Sequence, residues 1–259
     1  MRQPVSISLS SFGADAVRNT GQAHYFAVAA QAGASHVELR AELLEPSPDL
    51  AAYAALAASH QLTLVYSSPL ELWQADTNRP NPALPEALAA AAQAGAVWLK
   101  TSLGHFTPNA DLKALAALLR DVPVRLLVEN DQTHQGGRIE PLVQFFTGAR
   151  ARQVPVGMTF DIGNWEWQAQ SALGAAGQLG HHVEYLHCKA VRMSPAGKLM
   201  AVPPEARDLA TWVRLLRRFP AGITRAIEYP LQGDNLPATV QARVAELAGL
   251  GLNVEAAHA

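Results

Sequence analysis

The 259-residue chain has a single cysteine, Cys188, so neither an internal disulfide nor a thiolate cluster can form, which fits a reducing compartment. Charge is also scarce. Only 16% of residues are Asp, Glu, Lys or Arg and the net charge is -2, leaving no basic surface to neutralise a phosphate backbone and arguing against a nucleic-acid partner. No apolar run is long enough to cross a bilayer, because Glu, Gln or Arg interrupts each one. Met1-Arg2-Gln3-Pro4 leads straight into the alternating Val5-Ser6-Ile7-Ser8-Leu9, with no room for the apolar segment of a signal peptide. A phosphate-binding glycine loop, a low-complexity linker and a run of like charge are all missing. These absences predict a soluble, cytoplasmic protein with no membrane or nucleic-acid partner.

What the chain does have is apolar content, 49%, arranged in two alternating kinds of segment. Strand-like runs are Val5–Leu9, His36–Leu39, Leu62–Tyr66, Val97–Thr101, Arg125–Asn130, Val156–Asp161, Val183–Lys189 and Thr224–Tyr229. Alanine-rich stretches with helical apolar spacing lie between them: Ala23–Ala32, Asp49–His60, Leu84–Ala94, Leu112–Arg120, Glu140–Ala149, Gln168–Leu179, Glu205–Arg217 and Leu236–Leu250. Gly33, Gly95, Pro123 and Pro220 stand where the first, third, fourth and seventh of these should stop. Eight strand-helix units over this length predict a TIM (β/α)8 barrel, one domain spanning residues 1–259.

Four polar side chains close four successive apolar runs: Glu129 in Leu126-Leu127-Val128-Glu129-Asn130, Asp161 in Met158-Thr159-Phe160-Asp161, His187 in Tyr185-Leu186-His187-Cys188, and Glu228 in Ala226-Ile227-Glu228-Tyr229. On a strand, neighbouring side chains point to opposite faces, so each of these faces inward while its apolar neighbours pack beneath helices. In such a barrel the C-terminal strand ends converge at the catalytic mouth. Three carboxylates and an imidazole meeting there would repel one another without a cation, and the donor set suits a hard or borderline divalent metal. Any one of these residues alone could be a structural pair; all four on consecutive strands point to a metalloenzyme.

At Val128-Glu129-Asn130, Phe160-Asp161-Ile162-Gly163-Asn164, Leu186-His187-Cys188-Lys189 and Ile227-Glu228-Tyr229 the chain resembles the xylose isomerase-like barrels. That group includes tagatose 3-epimerase-type and hydroxypyruvate isomerase-type enzymes. The resemblance implies Glu129, Asp161, His187 and Glu228 as metal ligands, Glu129 and Glu228 as the proton-transfer pair, and a sugar or polyol-derived hydroxy-carbonyl substrate isomerised through an enediolate. It implies Mn2+ first, with Mg2+, Co2+ or Zn2+ as alternatives. Where epimerase-type members carry further histidines this chain has Asn164 and Tyr185, and Gln135 and Met193 replace an acid and an arginine of that pattern. These departures keep open a dehydratase of the inosose or dehydroshikimate type; a barrel that binds a metabolite without turnover is the third reading. The oligomeric state is open, and a homo-oligomer is compatible.

Further residues fall within reach of the same mouth. Glu38 ends the second strand with inward parity, placed to bind a substrate hydroxyl or orient a metal ligand, or else to pair with Arg40. Lys100 and Lys189 end strands and can hold an anionic group; His105 and Asn164 follow strand ends. Trp165 and Trp167, with Trp73 after the third strand, are stacking candidates for a sugar face or packing residues. The loop Asp131–Arg138, with paired glycines, is a candidate flap carrying His134 and Arg138. His181-His182 precedes its strand and so belongs at the opposite end of the barrel.

Overall fold

A computed structural model describes residues 2–252. Its eight core strands are β1 (Val5–Ser8), β2 (His36–Arg40), β3 (Thr63–Trp73), β4 (Ala96–Gly104), β5 (Arg125–Glu129), β6 (Val156–Asp161), β7 (Val183–Cys188) and β10 (Thr224–Ile227). Each pairs in parallel with its neighbours, and β1 bonds both β2 and β10, so the sheet closes in the order β1-β10-β7-β6-β5-β4-β3-β2. The expected TIM barrel is the fold. Between the strands run α1 (Ala14–Thr20), α2 (His24–Gln31), α3 (Leu50–Ser59), α4 (Leu84–Gln93), α5 (Leu112–Leu118), α6 (Ile139–Ala151), α7 (Ala172–Leu179) and α8 (Ala206–Leu216), with α9 (Leu236–Gly249) after β10. Among the described residues no helix is long and apolar enough to cross a membrane.

Local chemistry sets the helix starts. Asp49, Asp111, Ser171 and Asn235 each accept a backbone N–H from the first turn of α3, α5, α7 and α9, and Glu205 with Asp208 forms a reciprocal capping box on α8. Ser171 explains why α7 begins later than the apolar spacing from Gln168 suggests; Asn164–Gln168 is a separate 3-10 turn.

Three differences from what the sequence predicts have clear causes. Strand β3 runs on to Trp73 rather than stopping near Tyr66, because a register shift between Ser67 and Glu71 accommodates Pro69, which lacks an N–H for the ladder. An antiparallel hairpin, β8 (Ala190–Met193) with β9 (Leu199–Val202), also follows β7. Its two strands are four residues each and too short to show periodicity. The extra helix α1 buries only Val17, so it carries no apolar stripe to read.

The main core lies between barrel and helices, as alternating strand parity requires. Inside the barrel Val65, Leu127, Tyr185 and Ala226, with Trp98 against them, make an apolar floor. One inward position further along these strands, the lining turns polar.

Candidate metal centre

Glu129, Asp161, His187 and Glu228 come together as their parity predicts, each offering one ligand atom within 4.8 Å of the others. His187 is the hub. Its Nδ1 lies 2.9 Å from Glu129 Oε1, 3.1 Å from Glu228 Oε2 and 3.8 Å from Asp161 Oδ2. Its other nitrogen, Nε2, is 2.7 Å from Glu38 Oε2, and neither residue has any exposed surface. A buried carboxylate on Nε2–H fixes the ring and leaves Nδ1 as the coordinating atom.

Asp161 is held by its own loop. Oδ1 accepts the backbone N–H of Gly163 at 2.8 Å and of Asn164 at 2.9 Å, while Asn130 bonds its backbone on both sides, accepting from Asp161 N and donating to Asp161 O. Asn164 in turn donates to Asn130 O at 2.8 Å. Oδ2 is left facing the cluster. Gly163 makes this loop possible: a Cβ there would sit 2.6 Å from Lys189 Cγ and 2.9 Å from Lys189 O.

Three cations surround the quartet. Lys189 Nζ hydrogen-bonds Glu228 Oε2 at 2.8 Å and sits equally close to Asp161 Oδ2. Lys100 donates to Glu129 Oε2. Arg40 Nη1 bridges Glu38 Oε1 at 3.1 Å and Glu228 Oε1 at 3.0 Å, and its Nε takes Glu42 at the rim. Burial opposes every charge here, but the neighbours outweigh it at most positions. Against that burial, Glu228, Glu38 and Glu129 hold the His187 imidazole well above its usual pKa. Glu38, opposed by burial but facing His187, Lys100 and Arg40, is pulled down to about 2. His187 and Lys189 likewise keep Glu228 well below the carboxylate range despite its burial. Asp161 goes the other way, since its burial exceeds what Lys189 and His187 return.

The residues fit a metal ion on one test of the structure itself. Glu129 Oε1, Asp161 Oδ2 and His187 Nδ1 are buried without an aligned hydrogen bond, Asp161 Oδ2 resting against Lys189 and the other two against each other, and a cation in the space they share would satisfy all three. All three belong to the candidate ligand set, and a donor set of three carboxylates and one imidazole suits a divalent cation.

The other candidates divide. Glu38 both pairs with Arg40 and orients His187, so its two alternative readings hold together. Lys100 and Lys189 line the site. Asn164 braces Asp161, and Tyr185 donates to Ser6 Oγ at 2.7 Å, so both departures from the epimerase-type pattern are in structural use. His105 stands at the rim, 3.8 Å from Glu71, whose other oxygen accepts from Gln135. Trp165 and Trp73 are buried, against Phe160 and against Phe106 and Phe145 respectively, and so are packing residues rather than stacking surfaces; Trp167 is half-buried. The glycine pair of Asp131–Arg138 answers to crowding: a Cβ at Gly137 would lie 2.4 Å from Asp131 O, inside a turn tied by Asp131 to Thr133. His181 and His182 lie against each other with tilted rings before β7, and His182 stacks on Phe146, away from the strand C-termini. Ser67 was not singled out by sequence and Arg40 only as a pairing partner of Glu38, although both share the inward parity of Glu38 and Val65.

No protein-family model and no curated protein sequence matches the chain. Solved structures do. A xylose isomerase domain containing protein of Salmonella typhimurium LT2 superposes with a TM-score of 0.68 at 14% identity, over 98% of this chain and 97% of that one. An L-ribulose 3-epimerase gives 0.71 at 15% identity, over 100% and 97%. The IolI protein, solved with a bound zinc atom, gives 0.71 at 11% identity, over 96% and 98%. The likeness extends end to end, and the chain therefore has the fold of the xylose isomerase-like barrels.

Proposed function

We propose that the protein is a divalent-metal-dependent isomerase or epimerase acting on a small hydroxy-carbonyl compound. The observation that carries this reading is the convergence of Glu129, Asp161, His187 and Glu228 at the barrel mouth, each with a ligand atom within 4.8 Å of the others. Glu129, Asp161, His187 and Glu228 would hold the ion, Mn2+ being the best match to three carboxylates and one imidazole. When bound, it would supply Lewis-acid stabilisation of the oxyanion that develops as a carbon-bound proton leaves. Glu129 ends β5 and Glu228 directly follows β10, two strands separated by β6 and β7 in the barrel order, and so they reach the enclosed space from different sides. One takes the proton and the other returns it. Lys100 on Glu129, and Lys189 with Arg40 on Glu228, keep both carboxylates ionised, the form a base requires. Glu38 holds the His187 ring, and the buried surroundings restrict water.

The test is incubation with Mn2+ in deuterium oxide against ketoses, hydroxypyruvate, inososes and dehydroshikimate, followed by proton NMR and ultraviolet absorbance. Solvent deuterium entering the recovered or isomerised compound, dependent on the metal, is the expected result. An absorbing enone without such exchange would replace isomerisation with elimination.

A further inference from the structure

The two lysines of the centre differ in which oxygens they hold. Lys100 bonds Glu129 Oε2, whereas Glu129 Oε1 is the atom beside His187. Lys189 holds the oxygens left free to coordinate. Asp161 Oδ1 is taken by the backbone of Gly163 and Asn164, and Glu228 Oε1 by Arg40, which leaves Asp161 Oδ2 and Glu228 Oε2 for an ion. Lys189 Nζ is 2.8 Å from both.

This lysine is built into the fold rather than draped over the rim. It directly follows β7 and is 6% exposed. Its stem runs across Gly163, where a Cβ would lie 2.6 Å from Lys189 Cγ. The φ of Gly163 is -79°, a value open to any residue, so what glycine supplies there is room for the lysine.

An ion bonding the same two oxygens at about 2.2 Å would lie at most about 5 Å from that ammonium, and like charges so close and so buried repel strongly. The enclosed charge has the same sense. With Glu42 on Arg40 included, five carboxylates (Glu38, Glu42, Glu129, Asp161, Glu228) meet three cations (Arg40, Lys100, Lys189), so with His187 neutral two negative charges remain. One divalent ion balances them. Without Lys189 a third would stand, and the ion would be held harder.

We propose that Lys189 is a tethered competitor of the metal ion. It occupies the coordinating oxygens of Asp161 and Glu228 in the metal-free protein, gives up at least one of them when the ion enters, and so holds the affinity low enough for occupancy to follow the free-metal level. This rests on the metal reading, and the experiment separates the two.

The experiment is calorimetric titration of chelator-stripped parent, Lys189→Met and Lys189→Gln with Mn2+ alone, at about pH 8 to favour ionised carboxylates. Both variants should bind Mn2+ at least ~10-fold more tightly than the parent and release it to a chelator more slowly. A lysine with a purely structural role would give the opposite sign, since its loss loosens the site and weakens binding. Lys189→Gln keeps a donor for one of the two oxygens, and it decides alone where the methionine variant does not fold. An affinity no higher than the parent's in the folded variants overturns the proposal. A parent that binds no Mn2+ overturns the metal reading instead.

Discussion

Glu228→Gln is expected to lower turnover about 10²- to 10⁴-fold, the usual contribution of a positioned acid or base, while the protein retains its divalent ion. The substitution is nearly isosteric. The amide oxygen can still face the cluster that includes His187 Nδ1, 3.1 Å from Oε2, but it can neither take nor return a proton. Glu129→Gln should behave alike, because the two residues are the partners in a single transfer and the loss of either halts it. The solvent-exchange assay measures both variants without knowledge of the product, and metal analysis of the same samples reports whether the ion stayed. Turnover within tenfold of the parent in either variant would remove that glutamate from the proton path.

Lys189→Met is expected to destabilise the metal-free protein by about 3–5 kcal/mol, the cost of removing one partner from a buried ion pair. Lys189 neutralises Asp161 and Glu228 at once, both at 2.8 Å, and methionine fills its volume without its charge. The sign of the pH effect follows. Burial already raises Asp161 even with Lys189 present; without the lysine its folded pKa rises further above the unfolded value, so the penalty grows as pH increases. The loss should therefore be larger at neutral than at mildly acid pH. Saturating Mn2+ should restore part of it, since a bound ion satisfies the same oxygens and binding favours the folded state. Urea unfolding with and without Mn2+ measures both effects. A loss under ~1 kcal/mol, unchanged by metal or pH, would mean that the carboxylates do not depend on enclosed positive charge.

The four candidate ligands were legible in the sequence for one physical reason. A strand alternates faces, so an acid or imidazole ending a long apolar run has only the barrel interior to face, and Glu129, Asp161, His187 and Glu228 all obey this. Glu38 obeys it as well, and its contact with His187 shows why a fourth acid is tolerated there. Arg40 shares the inward parity of Glu38, but nothing in the local pattern says that its guanidinium reaches Glu228, 188 positions away. Ser67 lay beyond the apparent end of its strand because Pro69 disguised the continuation of β3 through a bulge. Tryptophans at loop positions are ambiguous by nature, and burial of Trp73 and Trp165 is a tertiary fact. The same holds for Asn164 and Tyr185. In sequence they look like lost substrate contacts, whereas in the fold one ties Asp161 to Asn130 and the other anchors the barrel floor to Ser6.

On the proposed reading a divalent ion takes the place of a proton at His187 Nδ1. Calorimetric titration of metal-free protein with Mn2+ at a series of pH values tests it most directly. Without metal the surrounding carboxylates hold the imidazole pKa well above its usual value, so across the neutral range binding must expel one proton. One ion per chain, with affinity rising about tenfold for each unit of increasing pH until that raised pKa is passed, is the predicted result. Absence of binding, or one ion bound with an affinity indifferent to pH, would contradict the account.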